Sequence, residues 1–211
     1  PLVVALIALT IMVTTFIVER FLSLRKAQGR GPITTFLKAI QEAINRQDIN
    51  AAIDACDQQR GSCANIIRTG LERYKIVLDE GNVKSQKEIM EEVQHAIEEA
   101  MMLEVPILER NLVALSTIAS VSTMVGLLGT VIGMIRAFAA MSRAGAPDAV
   151  QLALGISEAL INTAGGLIAA IAGILAYNYF TTKVDNFTYM IDEASYSIVQ
   201  SLVIRKPKQS K

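Results

Sequence analysis

The chain has 211 residues, 52% of them hydrophobic and 19% charged, with 20 basic and 20 acidic side chains that balance to zero net charge. A mean hydropathy of +0.39 excludes a disordered chain, and the even charge argues against a nucleic-acid partner. Two cysteines exclude a disulfide scaffold. The apolar residues gather in three blocks, separated by polar sequence.

The first block, 1–18, holds an uncharged run from Leu2 to Val18. That is slightly short of the roughly 20 residues a membrane-spanning helix needs. The chain begins at Pro1, so the expectation is that its natural N-terminus lies upstream. Arg20, Arg25, Lys26 and Arg30 follow the apolar run instead of preceding it, which favours a retained first transmembrane helix over a cleaved signal peptide.

Residues 19–110 read as a helical cytoplasmic domain. Pro32 suits a first helical turn, and helical patterns run from about Ile33 to Asn45, Ile49 to Gln58 and Ala64 to Leu78. Gly61 and the run Asp79–Asn82 are breaks. From Lys84, the series Ile89, Val93, Ala96, Ala100, Leu103 and Ile107 predicts a helical seam that runs into the next block, interrupted only by Pro106.

The second block, 111–142, has Arg136 as its only charged residue, and the third, 149–182, has only Glu158. Each is long enough to span a bilayer, and Gly and Pro in 143–148 punctuate a hairpin between them. The third helix is expected to continue past Lys183 through Phe187, Ile191, Ala194 and Ile198 into a C-terminal helix and basic tail, 183–211. Basic residues in 20–30 and in the tail place 19–110 and 183–211 in the cytoplasm, with the N-terminus and hairpin on the other side. The fold class is therefore an all-α membrane protein with three transmembrane helices, two of them extended into a cytoplasmic domain.

Both long spans carry a stripe of small residues. In the second it is Ser116, Ala119, Thr123, Gly126, Thr130, Gly133 and Ala137; in the third it is Gly155, Ala159, Thr163, Gly166, Ala170 and Gly173. Such residues let helix backbones approach closely in lipid, and Gly126, Gly129, Gly133, Gly155 and Gly166 are the packing candidates. The stripes fit either a contact within the hairpin or a shared axis in an oligomer. Thr130 and Thr163 are equidistant from the hairpin centre, each about 11 residues or ~17 Å from its end, near mid-bilayer. Their hydroxyls could satisfy their own helix carbonyls or form a polar ring. The same mirror sets Arg136 near Glu158. This reads either as an ion pair near the outer mouth or as a pore-facing Glu158. No acid lies at the threonine level, so a proton pathway there would need a carboxylate from a second protein.

The runs Val125–Phe138 (VGLLGTVIGMIRAF) and Gly155–Asn178 (GISEALINTAGGLIAAIAGILAYN) resemble the MotA/TolQ/ExbB proton-channel family. The three-span layout resembles its ExbB/TolQ branch. The resemblance implies a pentameric, ring-forming homo-oligomer in the bacterial inner membrane, with the N-terminus periplasmic and the C-terminus cytoplasmic. It implies an ExbD/TolR-like single-span partner whose membrane aspartate supplies the missing carboxylate, and a TonB/TolA-like transducer acting on the outer membrane. Thr130 and Thr163 correspond to the family's pore-lining threonines and Glu158 to its membrane glutamate. Protons are the implied ion, with sodium the alternative, and no cofactor is implied. Prolines common in the family are replaced by Thr123 and Ala172, which implies straighter helices. The competing function is a non-conducting scaffold that assembles partner helices.

An enzyme is not expected. A serine–histidine protease needs a histidine in the membrane, and the single His95 lies outside the spans; an aspartyl protease needs two membrane carboxylates. One histidine also argues against a metal site. From Asp79 to Arg110 the chain holds nine acids and three bases, a solvated face or an acidic collar. His95 is expected at the surface, and Cys56 and Cys63 are expected reduced.

Overall fold

The computed structural model describes residues 2–80, 85–142 and 149–203, and among these it is all α-helix with no strand. The helices are α1 (Leu2–Gln28), α2 (Ile33–Asn45), α3 (Ile49–Gln59), α4 (Ser62–Asp79), α5 (Gln86–Glu109), α6 (Leu112–Met141) and α7 (Ala149–Val203). The expected hairpin 143–148, the Gly81–Asn82 break, Lys84 and the basic tail from Arg205 lie outside the described residues. The chain forms two compact units, Pro1–Phe21 with Asn111–Thr182, and Leu22–Arg110 with Lys183–Lys211.

The first unit contains the three stretches long and apolar enough to cross a bilayer. In α1 the buried side chains are Leu6, Val13 and Arg20, seven residues apart on one narrow line. Only 11% of the α1 apolar window is buried, against 33% and 39% in the other two. Val4, Ile11, Leu127, Ile135, Leu160 and Ile168 are all exposed. Such a surface requires lipid or other apolar chains around it.

The α6 and α7 stripes face each other. A methyl group on Gly133 would lie 2.7 Å from Ala159 Cβ and 2.8 Å from the Gly155 carbonyl oxygen, and one on Gly155 would lie 3.0 Å from Ala137 Cβ. One on Gly173 would lie 2.8 Å from Ala119 Cβ. Gly126 meets Gly166 backbone to backbone, and Gly129 receives the Asn162 side chain. The small residues therefore serve the contact within the hairpin, the first of the two arrangements their spacing allows.

The second unit packs α2–α5 with the last part of α7. Phe36, Ile40 and Ile44 of α2, Ile66, Ile67 and Leu71 of α4, and Phe187, Ile191, Ala194 and Ile198 of α7 are buried. Local signals set the helix ends. Asp48 caps α3 by accepting from the Ala51 N–H at 2.9 Å, and Ser85 with Glu88 forms a reciprocal capping box on α5. Gly61 precedes α4 with φ 90°. Cys56 and Cys63 are free and buried, and burial pushes both thiols up to about 12.

Three sequence expectations are corrected. Pro32 is the N-cap of α2 with extended ψ of 128°, just outside the first turn. Pro106 stays inside α5, and the break before α6 falls at Asn111, with φ 64°. Asparagine adopts that left-handed conformation at lower cost than most residues. The α5 seam runs through Met90, Val93, Ile97, Ala100 and Leu108, leaving Leu103 and Ile107 exposed. Val93 and Ala100 are common to both seams, but apolar residues flank that line on each side. Gly70 decides between the flanks, because its missing side chain admits Ile97: a methyl there would lie 2.6 Å from Ile97 Cγ1.

Candidate functional site

The candidate site lies on α6 and α7, where an uninterrupted helix pair carries Thr130, Thr163, Arg136 and Glu158 at two levels. Both helices are continuous through Thr123 and Ala172.

At the first level, Thr163 donates from Oγ1 to the Gly126 carbonyl oxygen on the facing helix at 3.2 Å. The Thr130 hydroxyl instead donates to the Leu127 carbonyl of its own helix at 2.6 Å. The two threonines are half-buried, and their side chains satisfy different carbonyls. The Gly126 carbonyl is also the α-helical acceptor for the Thr130 N–H, so Thr163 bonds to the backbone turn that carries Thr130. The register that sets Gly126 against Thr163 and Gly129 against Asn162 brings the two hydroxyl-bearing residues to within about one turn of the same depth.

At the second level, Arg136 Nη1 contacts both Glu158 carboxylate oxygens at 3.1 Å. Their side chains are 54% and 43% exposed, so the pair stands on the outside of the helix contact. Its Coulomb attraction is correspondingly small wherever water or headgroups reach it, and larger where other chains or lipid exclude them.

Two further polar residues of this unit, Asn162 and Arg20, are not singled out by the sequence pattern. Asn162 is 2% exposed, and its Oδ1 has no hydrogen-bond partner among the described residues. Leaving such an acceptor unmet costs about 1–3 kcal/mol. Its signal was available: a carboxamide inside an otherwise apolar span, next to Thr163. The second is Arg20, read only as one of a run of basic residues. It is 1% exposed and pairs with the adjacent Glu19 at 2.7 Å. Glu19 Oε2 also accepts from Asn111 Nδ2 at 3.3 Å, which ties the charged end of α1 to the start of α6. A buried guanidinium needs this kind of pairing.

In the second unit the acids of α5 are largely engaged. Glu92 pairs with Arg73 at 2.6 Å, Glu104 accepts from Asn65 at 2.9 Å, and Glu98 accepts from Gln94 at 3.0 Å. His95 is exposed. Among the described residues there is no group of three or more side chains that could hold a metal ion.

Residues 58–193 match the model of the MotA/TolQ/ExbB proton channel family. The chain belongs to this family. That span takes in both polar levels of the α6–α7 pair and, in the second unit, α4, α5 and the first part of its α7 segment. Among relatives, the chain is 35% identical over 108 residues to the Tol-Pal system protein TolQ of Haemophilus influenzae, covering 51% of this chain and 47% of that protein. It is 34% identical over 118 residues to the TolQ of Pseudomonas aeruginosa, covering 56% and 51%. The biopolymer transport protein ExbB of Pseudomonas putida matches at 26% over 134 residues, covering 64% and 40%. The chain thus spans about half the length of the TolQ proteins it matches. These relatives place it on the ExbB/TolQ branch of the MotA/TolQ/ExbB family, and its three apolar helices make it a multi-pass membrane protein of that branch.

Proposed function

We propose that this chain is the proton-channel subunit of an inner-membrane motor, coupling proton-motive force to a TonB- or TolA-like transducer that acts on the outer membrane. In this reading the chain forms a ring, pentameric as the family resemblance implies. The N-terminus and the hairpin are periplasmic, and the second unit and C-terminus are cytoplasmic. The ring surrounds an ExbD/TolR-like single-span partner. Family membership supports the general role, and one observation supports the mechanism. Thr130 and Thr163 lie near one depth in the apolar blocks 111–142 and 149–182, whose only charged residues, Arg136 and Glu158, sit at another level and bond to each other.

Hydroxyls relay protons but do not hold a charge near neutral pH, so this hairpin is half of a pathway. A partner aspartate at the threonine level completes it. Protonated, the aspartate crosses the apolar surface cheaply; ionised, it requires the hydroxyls and whatever counter-charge Arg136 offers. Each proton moved through 100 mV releases about 2.3 kcal/mol, which a stepwise movement of the partner relative to the ring could harness.

The test is proton flux into vesicles holding the purified chain with or without its single-span partner, under an imposed potential. Flux is expected only with the partner, and its loss is expected when the partner's membrane aspartate becomes asparagine. Rapid, saturable flux from this chain alone would overturn the shared-site mechanism. Assembly with the partner but no flux under any potential would favour the scaffold.

A further inference from the structure

Two turns of the second unit are locked against each other. The α1–α2 turn has Gly29 at φ 83°, and the α3–α4 turn has Arg60 at φ 56° and Gly61 at φ 90°. The Arg30 N–H donates to the Gln59 carbonyl at 2.9 Å, and Gln59 Nε2 donates to the Gly31 carbonyl at 2.8 Å and the Gln28 carbonyl at 3.2 Å. A side chain at Gly61 would collide with the Ala27 backbone, so the turns meet only because that position is glycine.

The lock brings three cations around one cavity of about 560 Å³, lined by Lys26, Arg30, Arg60, Ser62, Asn65 and Ile107 among others. No acidic side chain among the described residues lines it. Among the described residues, Lys26, Arg30 and Arg60 have no side-chain hydrogen bond or ion pair, whereas Arg46, Arg68, Arg73 and Lys87 of the same unit all have one. Ser62, only 6% exposed, lines the same cavity. It opens α4, an 18-residue helix with no side-chain cap, so the positive end of that helix and its first free N–H groups belong to the same wall.

We propose that this cavity binds a phosphate-bearing anion. Three unpaired cations, the Ser62 hydroxyl and an uncapped helix start are the groups that such an anion satisfies together. The volume exceeds a single phosphate ion, and Ile107 supplies an apolar wall, so an ester with an attached organic group fits. Two sources share this chemistry: an anionic phospholipid headgroup and a soluble phosphate compound. Lys26 lies only about 12 Å of helix beyond the end of the uncharged α1 run, so a flexible lysine there reaches the headgroup layer of a bilayer spanned by α1.

The test uses the full chain in detergent. Native mass spectrometry scores retention of added phosphatidylglycerol against phosphatidylcholine, and calorimetric titration with inorganic phosphate is run without lipid. Phosphatidylglycerol should be retained preferentially, with the preference falling about fivefold for each charge removed in Arg60→Gln and in the double variant Arg30→Gln/Arg60→Gln. Arg60→Lys and the distant Lys87→Gln should keep it. Phosphate binding that displaces phosphatidylglycerol identifies a soluble source; phosphatidylglycerol retention without phosphate binding identifies a lipid. The proposal is overturned if wild type shows neither, or if Arg30→Gln/Arg60→Gln, with native helicity by circular dichroism, retains both unchanged. If the double variant misfolds, the Arg60→Gln and Arg60→Lys pair decides: equal binding by the two overturns the site.

Discussion

Gly165 and Gly166 are neighbours on α7, yet the same added methyl should have opposite effects at the two. At Gly166 it would fall 2.6 Å from the Ser122 carbonyl oxygen and 2.8 Å from Gly126 Cα, both backbone atoms of α6. Neither can rotate away, so the helices must part by about 0.8 Å to restore ordinary contact. Overpacking of this kind costs about 1–3 kcal/mol. Alanine's better helix propensity offsets at most ~1 kcal/mol. The separation would also stretch the Thr163–Gly126 bond, now 3.2 Å, beyond useful length, forfeiting roughly 0.6 kcal/mol more. Gly166→Ala should therefore lose about 1–3 kcal/mol. At Gly165 the nearest atom is Leu6 Cδ1 at 3.7 Å, the end of a flexible side chain. Gly165→Ala should be neutral or slightly stabilising. Detergent-solubilised variants would be unfolded by denaturant titration and followed by circular dichroism. Equal stability of the two variants, or a Gly166→Ala protein as stable as wild type, would refute the close backbone contact.

Thr163→Val should cost only about 0.6 kcal/mol of stability yet abolish energised transport in cells, scored with assembly checked in parallel; full activity with valine at both Thr130 and Thr163 would remove the hydroxyls from the mechanism. Arg136→Glu and Glu158→Arg should each impair assembly, and the double exchange should recover part of that loss in a double-mutant comparison; a harmless Arg136→Ala would show the pair to be dispensable. Cys56 and Cys63 should resist alkylation at pH 8 in the folded protein and react when it is unfolded. Because folding raises both thiol values from 9.0 to about 12, the folded state holds protons the unfolded state releases. The thiols' contribution to stability is thus complete below pH 9 and declines as pH rises towards 12, which a pH series of denaturation midpoints would register. Ser85→Ala should lower stability by ~1 kcal/mol through loss of the α5 capping box, measured as a shift in thermal midpoint.

What could be read from the sequence depended on the range of the interaction that decides it. The ends of α2, α3 and α4 are set by Pro32, Asp48 and Gly61, local signals that act within a few residues, and they were legible to within about two positions. The buried line Phe187, Ile191, Ala194 and Ile198 was legible because one face of that helix is apolar and its flanks are not. The α5 seam was misread for the converse reason. Ala96 and Leu103 on one flank and Ile97 on the other compete equally well for burial, and the winner is chosen by Gly70, on a different helix. No periodicity within α5 carries that information.

The candidate site shows the same division more sharply. Mirror counting about the hairpin could give depth, because an antiparallel pair of regular helices conserves it, and it could therefore bring Arg136 near Glu158. It could not give azimuth at the resolution of one hydroxyl. Thr130 and Thr163 look equivalent in sequence, each within a small-residue stripe, but one satisfies its own helix and the other crosses to its neighbour. That difference assigns them different physical burdens. The Thr163 hydroxyl contributes to holding α7 on α6, so any rotation that frees it for a proton must break a contact between helices. The Thr130 bond lies within one turn of one helix, and a side-chain rotation is enough to release it. A pathway that used both would thus have one hydroxyl that moves at little cost and one whose movement is coupled to helix packing, and only the second could transmit the arrival of a partner's charge into a change of shape.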